Sequence, residues 1–146
     1  MKIHLDYDFM GWNEYIRAER TNKYKANHIK QDEKAVVVFS VKERYTGSYP
    51  VTLTIKPHYQ RRNKDLDNYR MKGLIDGLVS AGVIENDNLT KITKIVLEPI
   101  FDGGTGVDIE IQPNQRTDTL KDYVNSLSEK EKDRVRAYLK LVGGNQ

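Results

Sequence analysis

Lys64-Asp65-Leu66-Asp67-Asn68-Tyr69-Arg70-Met71-Lys72-Gly73-Leu74-Ile75-Asp76-Gly77-Leu78-Val79-Ser80-Ala81-Gly82 is the stretch that decides how this chain folds. Met71, Leu74, Ile75, Leu78 and Val79 recur at helical spacing. The spacing predicts a helix over 68–81 with one core-facing stripe and Gly82 as its stop. Upstream, Val51, Leu53 and Ile55 alternate with Thr52, Thr54 and Lys56, the pattern of a half-buried strand. Downstream, 91–99 and 106–112 read as a pair of strands joined around Asp102-Gly103-Gly104. This order predicts an α/β (α+β) domain, a small mixed sheet of about four strands packed with two main helices.

The flanks extend that reading. Residues 2–8 alternate, with Ile3, Leu5 and Tyr7 on one side, and predict a first strand. Residues 12–32 are rich in Glu, Arg, Lys and Ala, and Trp12, Tyr15, Ile16, Ala26 and Ile29 form an imperfect helical stripe. Residues 35–41 (AVVVFSV) are β-branched, yet they continue that helical segment and are assigned to helix. After Pro113 the character changes. Leu120, Tyr123, Val124 and Leu127 suggest a short helix, and Ser128-Glu129-Lys130-Glu131 is a capping-box pattern that starts another. Val135, Tyr138, Leu139 and Val142 would share one face of it. The expected organisation is a core domain at 1–113 and a C-terminal helical hairpin within 114–146.

Composition narrows the classes. The 146 residues hold 24 basic and 21 acidic side chains, a net +3 that alone argues little. The placement says more: 56–72 holds six basic residues against two acidic, a local +4, so the rest of the chain sums to −1. A concentrated basic patch of this kind suits a phosphate. With no cysteine, disulfides, Cys-ligated zinc and thiol nucleophiles are excluded. The first eight residues carry acids where a signal peptide needs apolar ones. The longest apolar run, Ala35 to Phe39, is far too short to cross a bilayer. The expectation is a soluble cytoplasmic protein with no membrane partner.

The chemistry concentrates at the two ends of the central helix. Asp65 and Asp67 precede it; Glu85-Asn86-Asp87 follows it; Arg61, Arg62, Lys64, Arg70 and Lys72 surround them. Two carboxylates about 4 Å apart repel by about 4 kcal/mol at an effective dielectric near 20. A hard divalent cation such as Mg²⁺ relieves that repulsion and takes oxygen ligands. Metal plus phosphodiester is nuclease chemistry. The plainer reading is that Asp67 or Asn68 caps the helix and that Asn86-Asp87-Asn88 is a polar turn. An EF-hand loop starting at Asp65 fails, because its sixth position is Arg70 instead of Gly. A helix of about 14 residues spans roughly 20 Å. Asp87 must therefore fold back, or arrive on a neighbouring strand, to reach Asp67.

The same residues resemble the signature of the RusA-like Holliday-junction resolvases, in their Gram-positive phage and prophage branch. That signature runs D-x-D-N, a nearby Lys, D-[AG]-L, then a-G-v-x-x-[DN]-D. Asp65, Asp67, Asn68, Lys72, Asp76-Gly77-Leu78, Ala81-Gly82-Val83 and Asn86-Asp87 supply it, and Asn13-Glu14-Tyr15-Ile16 resembles that branch's start. The similarity covers about residues 1–112. It implies a homodimeric, Mg²⁺-dependent endonuclease, with Mn²⁺ a possible substitute, that nicks four-way DNA junctions symmetrically. Asp65, Asp67 and Asp87 fall at the metal-ligand positions and Lys72 at an essential lysine. Here that lysine comes one residue late, with Met71 in its place, a rotation of about 100°; either Lys72 or Arg70 is the cation. Arg61, Arg62, Lys64 and Arg70 are the candidate DNA contacts.

Other residues receive quieter readings. Lys72 and Asp76 form an i, i+4 surface pair, or Asp76 helps place Lys72. His4, His28 and His58 are scattered and read as structural or surface residues. Tyr59 and Tyr69 read as core packing, and the mixed charges of the tail as a solvated helix face. Two competing classes stand beside the nuclease: a non-catalytic branched-DNA-binding module that kept the fold, and an interaction domain whose acids only cap helices.

Overall fold

The computed structural model describes residues 1–63, 65–114 and 127–143. The chain divides into two compact units, Met1–Asn114 and Gln115–Gln146. In the first, β1 (Lys2–Leu5) precedes α1 (Trp12–Thr21) and α2 (Lys23–Ser40). Then come β2 (Val51–Pro57), a single 3₁₀ turn (Leu66–Asn68), α3 (Lys72–Ser80), β3 (Ile92–Leu97) and β4 (Val107–Pro113). In the second unit, α4 (Glu129–Gly143) is described.

The four strands make one mixed sheet in the order β1-β4-β2-β3. β2 pairs parallel with β3 and antiparallel with β4, and β1 pairs antiparallel with β4. Residues 91–99 and 106–112 do supply two strands, but they are not neighbours. β2 lies between them, and its fully buried Val51, Leu53 and Ile55 earn that central place. They pack with Ile109 and Ile111 of β4, Leu74 and Leu78 of α3 and Val37 of α2. Alternation puts Lys2, His4, Lys56, His58, Asp108 and Glu110 on the sheet's other face. Ion pairs from Lys56 and Lys2 to Glu110 run across it.

Residues 35–40 are helical, as continuity rather than β-propensity suggested. The long amphipathic segment is nonetheless two helices. Asn22 breaks it in an extended conformation, and its side chain caps α2 by accepting the Tyr24 N–H. The first strand stops at Leu5, because Asp6 and Asp8 turn to bond Thr105 and the Gly106 N–H. Periodicity had started the central helix at 68. The observed α3 begins at Lys72, with the 3₁₀ turn and an extended Tyr69 before it. Gly73 and Gly77 let α3 lie close on α2: a Cβ at Gly77 would stand 2.6 Å from Val37 Cγ2. Gly82, at φ +69°, ends the segment.

In the C-terminal unit the Glu131 half of the capping box is formed, while the Glu131 N–H goes to the Ser128 carbonyl. Ser128 donates its backbone N–H (2.9 Å) and its hydroxyl (2.6 Å) to the Glu131 carboxylate. The earlier arm of the expected hairpin, with Leu120, Tyr123 and Val124, lies outside the described residues.

Candidate active site

The connection from β2 to α3 carries the acidic motif, and the motif divides into residues that hold and residues that are held. Asn68 reaches back 55 positions, and its Oδ1 accepts the Asn13 N–H at 2.8 Å. Gly11, at the cap position before α1, has no side chain to cap that helix, so the motif's asparagine does so. Tyr69 is buried, and burial pushes its hydroxyl well above the ordinary tyrosine range, so the phenol stays neutral. Arg70 is 1% exposed. Its guanidinium pairs with the fully buried Glu33 of α2 and lies 4.3 Å over the Tyr15 ring. Glu33 also accepts the Met10 N–H. One buried ion pair thus ties the acidic connection to α2 and to the segment before α1.

This corrects one expectation. Arg70 was counted among the phosphate-facing cations, but its charge is spent in the core on Glu33. Removing a guanidinium from water is tolerable only with such a partner.

Asp65 precedes the 3₁₀ turn and Asp67 lies within it; both are exposed, and neither makes an ion pair among the described residues. Asp65 lines a large cleft of about 910 Å³ with Asp8, Asn13, Arg61 and His58. Arg62 is exposed and lies 5.6 Å over the Phe101 ring; Lys64 lies outside the described residues. Asp87 lines a second, smaller groove of about 330 Å³ along α3, with Lys72, Asp76, Ser80, Lys30 and Lys34. Lys72, Asp76 and Ser80 are successive i, i+4 positions, so this groove follows one face of the helix. Met71 packs against the core while Lys72, 61% exposed at its side chain, turns outward and bonds Asp76 at 3.0 Å. The one-residue lag of the lysine is therefore what brings it to the groove. Glu85 pairs with Lys91, which withdraws it from the acidic set.

Asp65, Asp67 and Asp87 fit a hard cation in kind: oxygen donors, exposed, unpaired among the described residues. They are not one cluster within the chain. α3 separates them, and the only set of three metal-competent groups within 4.8 Å of one another, among the described residues, is His4, His58 and Asp108. Sequence reasoning missed Lys30 and Lys34, although their i, i+4 spacing on α2 was visible. It also missed Glu33, for which no local signal exists.

Against known proteins, residues 4–112 match the family described as endodeoxyribonuclease RusA. A crossover junction endodeoxyribonuclease RusA from Aquifex aeolicus (strain VF5) is 34% identical over 110 residues, covering 70% of this chain and 82% of that protein.

Proposed function

This chain belongs to the RusA endodeoxyribonuclease family, and from that premise we propose that it resolves four-way DNA junctions by paired, divalent-metal-dependent nicking. The substrate class rests on the relative's name as a crossover junction endodeoxyribonuclease. The observation that carries the site is the set of exposed carboxylates in the segments before and after α3, without ion pairs among the described residues, with Lys30, Lys34 and Lys72 beside Asp87 in one groove. The nuclease domain is assigned to 1–113 and the helical appendage to 114–146.

Asp65, Asp67 and Asp87 would hold the ion, most simply Mg²⁺, with Mn²⁺ as its substitute. When bound, it supplies Lewis acidity toward the phosphate and an activated water. Lys72 faces the groove and neutralises charge on the phosphoryl oxygens. Lys30, Lys34, Arg61, Arg62 and Lys64 hold flanking phosphates without reading sequence. Arg70, Glu33 and Asn68 are positioning residues for the acidic connection.

The separation of Asp65 and Asp67 from Asp87 bears on assembly. A four-way junction offers two equivalent phosphates, which a C₂ dimer matches. In such a homodimer the Asp65–Asp67 loop of one copy and Asp87 of the partner subunit would complete each other's site. That requires no rearrangement of α3.

The test is a synthetic four-way junction and a matched linear duplex, each with Mg²⁺ or EDTA, using wild type and Asp67→Asn. Paired Mg²⁺-dependent nicks in the junction, reduced more than about 100-fold in the variant, are expected; loss of a direct ligand exceeds the usual 10–100-fold cost of its supporting partners. Full cleavage by Asp67→Asn sinks the assignment. Tight junction binding without cleavage by wild type would favour the binding-module reading.

A further inference from the structure

The polar face of the sheet carries a cluster that the nuclease reading does not use. His4 on β1 and Asp108 on β4 are direct cross-strand partners. His58, just past β2, comes to the same place, so residues that look scattered in sequence meet once β4 inserts between β1 and β2. His4 Nδ1 lies 2.6 Å from Asp108 Oδ1, and His58 Nε2 lies 3.2 Å from Asp108 Oδ2. On its other side, His58 Nδ1 is 2.9 Å from Asp102 Oδ2. Asp102 is itself fixed by accepting the Gly104 N–H at 2.9 Å.

His58 Nε2 is the informative atom. It is buried and makes no hydrogen bond among the described residues, despite its nearness to Asp108. In the tautomer that keeps its proton on Nδ1 beside Asp102, the Nε2 lone pair faces a carboxylate oxygen, which is the form in which imidazole ligates a metal. A buried imidazole nitrogen then faces an oxygen of a half-exposed carboxylate, an arrangement that a cation between them relieves. A tetrahedral ion with donors at about 2.0–2.1 Å holds them roughly 3.3 Å apart, close to the 3.2 Å between His58 and Asp108, while the 2.6 Å hydrogen bond from His4 to Asp108 would open to admit the ion.

We infer that His4, His58 and Asp108 form a binding site for one transition-metal ion of the zinc class, with Asp102 orienting His58 behind it. Imidazole with carboxylate selects such ions, whereas Mg²⁺ takes oxygen ligands. A histidine ligand that gives its second N–H to a carboxylate is the usual support for such a metal. The ion would clip β1, β4 and the end of β2 together, beside the cleft that His58 and Asp65 both line. This site is independent of the acidic one in residues and in metal preference.

The test is calorimetric titration of the full chain with ZnCl₂, in wild type and in an Asp67→Asn/Asp87→Asn background, followed by thermal melts. One equivalent of Zn²⁺ should bind in both and raise the melting temperature of both. His4→Gln, at an exposed position, should keep the helical circular dichroism and lose the binding. Asp102→Asn should weaken it about 10–100-fold. Absence of zinc binding by wild type overturns the inference, and so does zinc binding that survives His4→Gln or disappears with the two aspartates. In the first case, an imidazolium held between Asp102 and Asp108 accounts for the geometry.

Discussion

The two loops at the ends of α3 are built differently. The loop before the helix is moored at three successive residues: Asn68 caps α1, Tyr69 is buried, and Arg70 pairs with Glu33 in the core. The loop after it is held by its own turns, Asn86 accepting the Asn88 N–H and Asn88 accepting the Thr90 N–H, with Glu85 on Lys91. One loop is fixed by distant partners, with Tyr69 and Arg70 buried; the other is held by near neighbours and one exposed long-range bond, from the Glu85 N–H to the Tyr49 hydroxyl. In both, the aspartates themselves are left without ion-pair partners among the described residues. That is the arrangement expected of a site whose backbone is settled before its metal and substrate arrive.

Breaking the distant mooring should cost most. Glu33→Ala strands the Arg70 guanidinium, and losing one partner of a buried pair costs about 3–5 kcal/mol. Denaturant melts should show it, and a loss below 1 kcal/mol would mean that the pair is not closed. Replacing both partners with methionine should restore much of that stability, since the uncompensated charge is gone. Asn68→Ala removes one cap, worth about 1 kcal/mol, and should lower nicking beyond what stability explains. Nicking rates compared at a temperature where both proteins are fully folded separate the two effects. In the groove, Lys34→Ala should leave the fold unchanged and reduce the salt dependence of junction binding by about one phosphate contact. An unaltered salt slope would remove Lys34 from the DNA path. The smallest effect belongs to the locally held loop: Glu85→Gln, losing a surface pair with Lys91, should shift stability by no more than about 1 kcal/mol.

Much of this architecture was legible because local pattern and burial agree. Alternation marked β1 and β2, helical spacing marked α3, and the Ser128–Glu131 box marked the start of α4. What stayed hidden depends on partners far apart in the chain. Nothing near Arg70 announces Glu33, 37 positions earlier, so a guanidinium in a basic stretch read as a DNA contact. The Asn22 break was hidden because both helices share polar, helix-forming composition. His4 and His58 read as unrelated because their meeting requires the β1–β4–β2 order, which no local periodicity encodes. The acidic motif was visible as chemistry. Its division between the two ends of the helix was visible too; that Asp87 does not fold back to form one cluster with Asp65 and Asp67 is a matter of topology.

The most direct measurement mixes two disabled chains. Asp67→Asn and Asp87→Asn proteins are prepared separately, then unfolded and refolded together, and assayed for Mg²⁺-dependent nicking of a four-way junction. Each alone should be inactive. Together, half the mixed dimer's acidic pairs are intact, so nicking should return, mainly as single rather than paired cuts. A mixture as inactive as its components would contradict a site shared between two copies, and full cutting by either variant alone would contradict the acidic site itself.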